Sequence, residues 1–125
     1  MKNFPELDVW MKAKDLAVLT YKLTNTFPRI EQYRLTDQLT RCSVSISSNI
    51  AEGIGRKSIK DRSHFFYIAR GSAFELESQM IIANELGYIE NQVLEEIIAA
   101  ITSVKKLING FIAFLNAKAK PDTKN

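Results

Sequence analysis

Apolar residues return at three- and four-residue steps in four successive stretches of this 125-residue chain. That spacing puts them on one face of an α-helix and leaves the other face for water. The first stripe is Val9, Ala13, Leu16, Leu19 (or Thr20) and Leu23, with the stem of Lys12 at its edge. The second is Leu35, Leu39, Cys42, Ile46, Asn49/Ile50 and Gly53. The third is Phe65, Ala69, Ser72 (or Ala73), Leu76, Met80 and Ala83. The fourth is wider: Leu94, Ile97, Ile98, Ile101, Val104, Ile108, Phe111, Ile112 and Leu115. The pattern predicts helices over about 8–26, 34–54, 58–86 and 91–115, with 117–125 as a flexible polar tail. Four amphipathic helices with short connections pack as an antiparallel up-down bundle, an all-α fold in one domain.

Local signals set the ends. Asp8 suits an N-cap or first turn, and Phe27-Pro28 stops helix 1, since a residue before proline avoids the α region. Helix 2 starts at Thr36-Asp37 or at the preceding Ile30-Glu31. Its middle, Ser43-Val44-Ser45-Ile46-Ser47-Ser48-Asn49, has poor helix propensity and by alternation alone reads as a strand. The stripe continues on both sides at helical period, which decides for helix. Gly55 is a natural C′ stop. Ser58 with Asp61 three residues on reads as the cap of helix 3, and Gly87 ends it.

A single cysteine and a single histidine exclude a disulfide framework, multi-cysteine zinc sites and paired-histidine metal sites. Cys42 lies on an apolar stripe and reads as a small buried hydrophobe. His64 sits beside Arg62 and reads as a surface or interface residue. Glu75 and Glu77 point to different helix faces, and Gly53-Ile54-Gly55 closes a helix instead of opening one around a phosphate. Nothing here points to catalysis, a metal or a cofactor. The first residues contain no apolar signal segment, and no apolar run is long enough to span a bilayer. The expectation is a cytoplasmic protein with no membrane partner.

Charge is unevenly placed. Residues 56–70 carry five Lys/Arg against Asp61 alone. Residues 71–104 carry six carboxylates and no Lys or Arg, and residues 105–125 carry five lysines against Asp122. Arg56, Lys57, Lys60, Arg62, Lys105 and Lys106 are therefore candidates for holding the phosphates of RNA or DNA. The rival reading is charge complementarity between helices, subunits or a protein partner. Arg41, Asn49, Glu52 and Arg56 on helix 2, with Arg70 and Glu77 on helix 3, interrupt the apolar pattern. They read as a solvated salt-bridge face, a satisfied polar network at a helix or subunit contact, or a ligand site. Small residues gather at Ser43–Gly53 and at Ala69, Gly71, Ser72 and Ala73, and predict close backbone approach, either between helices 2 and 3 or between subunits. Phe65-Phe66-Tyr67 covers more than half of the helix circumference, so at least one of the three is exposed or in a subunit contact.

The run from Leu39 to Arg56, with its Ser-x-x-Asn-Ile-Ala-Glu-Gly-x-Gly-Arg segment, resembles the bacterial family of 23S rRNA intervening-sequence proteins. So do Leu7-Asp8-Val9-Trp10 with Ala13, Phe27-Pro28, and Ile68-Ala69-Arg70-Gly71-Ser72 with Glu75-Leu76-Glu77. The resemblance spans about 4–115. Arg34 stands where the family often has glycine, and Ser47 where it often has proline, which relaxes a kink in helix 2. The resemblance implies a left-handed four-helix bundle assembling as a ring-like homopentamer without established enzymatic activity. Members are encoded within insertions in ribosomal RNA genes or elsewhere in bacterial genomes. A related branch resembles the accessory protein of diversity-generating retroelements, which binds nucleic acid and a reverse transcriptase. The combined expectation is a non-enzymatic oligomer binding nucleic acid through basic side chains, the alternative a protein–protein interaction module with no nucleic-acid ligand.

Overall fold

The computed structural model describes residues 4–119. A 3-10 turn at Phe4–Glu6 leads into α1 (Asp8–Thr24), and a second 3-10 turn at Arg29–Glu31 precedes α2 (Leu35–Gly55). α3 (Ile59–Glu85) and α4 (Asn91–Ala119) complete a four-helix bundle. Each helix packs on its two neighbours in the cyclic order α1–α2–α3–α4, and among the described residues the diagonal pairs do not meet. The cross-links show antiparallel neighbours. Arg70 meets Asn109 while Glu77 meets Lys105, and Ser45 meets Ser72 while Gly53 lies against Phe66.

Each boundary has a local cause. Asp8 falls in the first turn of α1, not at its cap, where its charge complements the helix dipole. Ile30-Glu31 belongs to the separate 3-10 turn, and Glu31 caps α2 from there: its Oε1 accepts from the Leu35 N–H at 3.3 Å. Ser58 Oγ accepts from the Asp61 N–H at 3.1 Å and starts α3. Gly87, at φ +84°, ends it. Its N–H donates to the Asn84 carbonyl while the Tyr88 N–H reaches back to Ala83, both at 2.9 Å. This is the Schellman arrangement, and it needs the left-handed backbone that glycine tolerates.

The serine-rich middle of α2 is helical because its polar groups are satisfied along the helix itself. Thr40 Oγ1 donates to the Thr36 carbonyl, Ser43 Oγ to Thr40, Ser47 Oγ to Val44 and Asn49 Nδ2 to Ser45, all within 2.8–3.1 Å. Ile46 and Ile50 on the same stretch are fully buried.

The core runs the length of the bundle, through Leu16, Leu39, Ile46, Ile50, Phe66, Leu76, Met80, Ile97, Ile101 and Ile108. The third stripe starts at Phe66, not Phe65. Phe66 is fully buried and stacks on Phe111, with ring centres 4.4 Å apart and planes 4° from parallel. Phe65 is half-buried under the Arg56 guanidinium, and Tyr67 is exposed. The three aromatics thus divide between core, edge and surface.

Two further expectations change. α4 continues to Ala119, so 117–119 are helical; the rest of the expected tail, 120–125, lies outside the described residues. Ala117, Lys118 and Ala119 are good helix formers, and a lysine suits the negative end of the dipole. α4 is also long and apolar enough by composition to cross a membrane, with mean hydropathy 1.6 over its best window. Lys105 and Lys106 are the only charges between 97 and 117. Here α4 gives its stripe to the bundle core and pairs Lys105 with Glu77.

Candidate functional site

The α2–α3 turn gathers four of the candidate basic residues. Arg56 follows the last residue of α2, in extended conformation, and Lys57 lies between it and Ser58. Lys60 and Arg62 sit in the first turn and a half of α3. Two of the four help to build the turn. The Arg56 guanidinium is 2.7 Å from Glu52 Oε2 and 4.7 Å from the centre of the Phe65 ring. Arg62 Nε donates to the Arg56 carbonyl at 2.6 Å. Lys57 and Lys60 are exposed, and no carboxylate pairs with either among the described residues. α4 descends to this same end, where Lys118 lies 4.9 Å from the centre of the Phe114 ring.

The turn is tight because Gly53 admits α3. A Cβ at residue 53 would stand 3.0 Å from Phe66 Cδ1 and 3.1 Å from both the Arg62 carbonyl oxygen and Phe65 Cβ. The expected close approach of α2 and α3 is therefore real at Gly53. It does not extend to Gly71, where none of the described residues lies within 4 Å of an added Cβ. Gly71 costs α3 about 1 kcal/mol relative to alanine without relieving any contact among the described residues.

Lys105 and Lys106 lie away from the turn and on different sides of α4. Lys105 is largely buried against α3, with Nζ 2.6 Å from Glu77 Oε1. It is matched to a carboxylate and is not free to hold a phosphate. Lys106 is exposed at the rim of an apolar cleft of about 460 Å³ between the start of α1 and α4. Leu7, Val9, Leu107, Phe111 and Phe114 line that cleft.

Arg41, Asn49, Glu52, Arg56, Arg70 and Glu77 do not form one network. Arg41 pairs with Asp37 at 3.0 Å, and Glu52 with Arg56. Arg70 and Glu77 turn toward α4, where Arg70 Nη1 donates to Asn109 Oδ1 at 3.0 Å. The spacing along α3 is compatible with either neighbour, so sequence did not reveal which helix each would face. Asn49 joins the α2–α3 contact through Ser45: its Nδ2 donates to Ser45 Oγ, which shares a hydrogen bond with Ser72 Oγ at 3.0 Å. Beside that pair, Cys42 Sγ donates to the Ser72 carbonyl at 3.1 Å. Burial first, and then the charge of Glu75, push the Cys42 thiol up to about 11. His64 is exposed, its ring edge-on to Phe65.

The fold and these contacts sit within a sequence signature that can now be matched. The family model described as 23S rRNA-intervening sequence protein matches residues 5–110. The chain belongs to that family. Among solved structures, it is similar to a protein of unknown function from the S23 ribosomal protein family of Bacteroides thetaiotaomicron, determined at 1.70 Å resolution. The two share 25% identity at a TM-score of 0.79, over 84% of this chain and 95% of that one. No curated protein matches the sequence. In this member of the 23S rRNA-intervening sequence family, the matched span ends at Gly110 and so covers the basic turn, the Gly53 contact and the Glu77–Lys105 pair.

Proposed function

We propose that this chain is a non-enzymatic, ring-like homo-oligomer in the cytoplasm that binds RNA or DNA through the basic α2–α3 end. The observation that carries the reading is the pair Lys57 and Lys60, exposed and without a carboxylate partner among the described residues, beside Arg56 and Arg62. Two free ammonium groups at a turn held by two arginines form a compact positive surface. Such a surface attracts phosphates and carries no base-reading geometry, so binding is sequence-tolerant and weakens with salt. One protomer offers few contacts. Five copies in a ring, the number the family resemblance implies, multiply them by avidity where one strand spans the sites.

The second reading, a protein-interaction module, draws on the Lys105–Glu77 pair, which satisfies one candidate cation inside the chain. Titration of a labelled structured RNA and a labelled duplex DNA at low and at physiological salt separates the two. Binding at low salt that falls steeply with added salt, and that heparin competes away, supports the nucleic-acid reading. No binding of either at low salt overturns it and leaves the protein-interaction reading.

A further inference from the structure

The outermost line of α3 is not its apolar part. Gly71, Ser78 and Glu85 lie opposite the buried stripe Phe66, Ala69, Ala73, Leu76, Met80 and Ala83, by the helical period. Exposed apolar residues rise on both sides of that line: Tyr67, Phe74 and Ile81 toward α4, Ile68 and Ile82 toward α2. The flanks leave a shallow groove whose floor is small at Gly71 and Ser78 and acidic at Glu85. At Gly71 the floor is open, with none of the described residues within 4 Å of an added Cβ.

α1 has the converse shape. Met11 and Val18, one heptad apart, stand on its outer side as a ridge, with Leu19 and Tyr21 beside them. Met11, Val18, Tyr21, Tyr67, Phe74 and Ile81 are each 42–57% exposed. α1 and α3 are the diagonal helices of the bundle, so ridge and groove lie on opposite sides of the protomer. Their charges have opposite sign. α1 carries Lys12, Lys14 and Lys22 against Asp8 and Asp15, whereas α3 beyond Tyr67 carries Glu75 and Glu85 against Arg70, Glu77 being matched to Lys105. Lys12, Lys22, Glu75 and Glu85 have no ion-pair partner among the described residues.

We propose that the α3 groove of one copy receives the α1 ridge of the next, in a head-to-tail contact. This deepens the oligomeric reading above and rests on it. Two different surfaces on opposite sides cannot both be covered in a two-fold dimer, whereas repeating one heterologous contact covers both in every copy, and the ring of the proposal above is the closed form of that repeat. The open floor at Gly71 is the place where the backbone of the neighbouring α1 comes close, which gives that glycine the role it lacks inside the protomer.

Two variants and their mixture test this. Met11→Glu with Val18→Glu removes the ridge and leaves the groove; Phe74→Glu with Ile81→Glu does the reverse. All four positions are exposed, so both variants should keep the helical circular dichroism and cooperative melting of a folded bundle. Sedimentation equilibrium of wild type, of each variant alone and of the equimolar mixture is the measurement. The expected result is a wild-type oligomer, each variant alone at the 14.2 kDa chain mass, and a one-to-one pair in the mixture. That pair forms because one intact groove then meets one intact ridge. A wild type at the chain mass overturns the oligomeric reading and this contact together. A wild-type oligomer with either variant still fully assembled, or with a variant pairing with itself while the mixture gives no heterologous pair, overturns this contact alone. Where a double variant loses its helical signal, the assembly of Gly71→Gln decides. Gly71→Gln is the companion, expected to stay helical and to weaken assembly by tenfold or more; unchanged assembly in that variant removes Gly71 from the contact and overturns the groove.

Discussion

Lys105 holds Glu77 across the α3–α4 seam, Nζ to Oε1 at 2.6 Å, while the same ammonium stands 4.3 Å from the centre of the Phe74 ring. The side chains are only 15% and 28% exposed. Removing the carboxylate leaves a half-desolvated ammonium with the ring alone for company. Glu77→Ala should cost about 1–3 kcal/mol, between the range of exposed pairs and that of buried ones. Pairing it with Lys105→Met should recover part of the loss. Urea unfolding of the two single variants and the double variant gives the coupling directly; a Glu77→Ala cost under about 0.5 kcal/mol would show that the pair is solvated after all.

Glu52 and Arg56 are the contrasting case. The pair is similarly short at 2.7 Å, but its side chains are half exposed and it lies along one helix. Glu52→Ala should cost less than about 1 kcal/mol, since water screens the pair and the arginine keeps its place over Phe65. A loss of several kcal/mol in the same urea experiment would mean that Glu52 has a partner beyond Arg56.

Two glycines should respond to alanine with opposite sign. At Gly53 the added methyl meets a carbonyl oxygen and a Cβ, neither of which can swing away, so α2 and α3 must part. Gly53→Ala should destabilise by about 1–3 kcal/mol. At Gly110, inside α4 with nothing within 4 Å, alanine should stabilise by about 0.5–1 kcal/mol through helix propensity alone. Thermal melts of both variants check the ordering.

The folded state holds the Cys42 proton beyond its ordinary value of 9.0, up to about 11. An unfolded chain releases that proton first, so between these values the folded state binds more protons. The stability the thiol contributes is therefore intact below pH 9 and declines as pH rises to 11, by about 1–2 kcal/mol allowing for solvent near the site. Tyr88, whose hydroxyl donates to Glu31 Oε2 at 2.8 Å, is raised by that hydrogen bond and adds to the same decline at higher pH. Unfolding free energies at about pH 8 and pH 10.5 should converge for Cys42→Ser more than for wild type. An equal fall in both would remove Cys42 as a source of the slope.

The helices and the core were legible from spacing because four stripes and their capping residues agree with one another. Where several side chains compete for one place, the sequence is silent. Phe65 and Phe66 are equally apolar, and the stacking of Phe66 on Phe111, 45 residues away, decides which enters the core. Arg70 and Glu77 lie at a helical edge that can face either neighbour, and the opposing Asn109 and Lys105 settle it. Charge density alone grouped Lys105 with Lys57 and Lys60, although burial gives the first a carboxylate and leaves the other two in water. Lys118 was visible only as one lysine of a basic stretch until the antiparallel course of α4 brought it to the same end of the bundle as the turn.

The most direct test of nucleic-acid binding at the α2–α3 end is the salt dependence of affinity for wild type beside Lys57→Glu with Lys60→Glu. Both lysines are exposed and unpaired among the described residues, so the variant should melt within about 0.5 kcal/mol of wild type in stability. Wild type should bind a labelled structured RNA or duplex DNA at low salt, with log affinity falling linearly in log salt concentration. The variant should lose most of that affinity, and any residual binding should show a slope shallower by about 2 per engaged protomer. Equal affinity and equal slope in the two proteins would contradict the assignment.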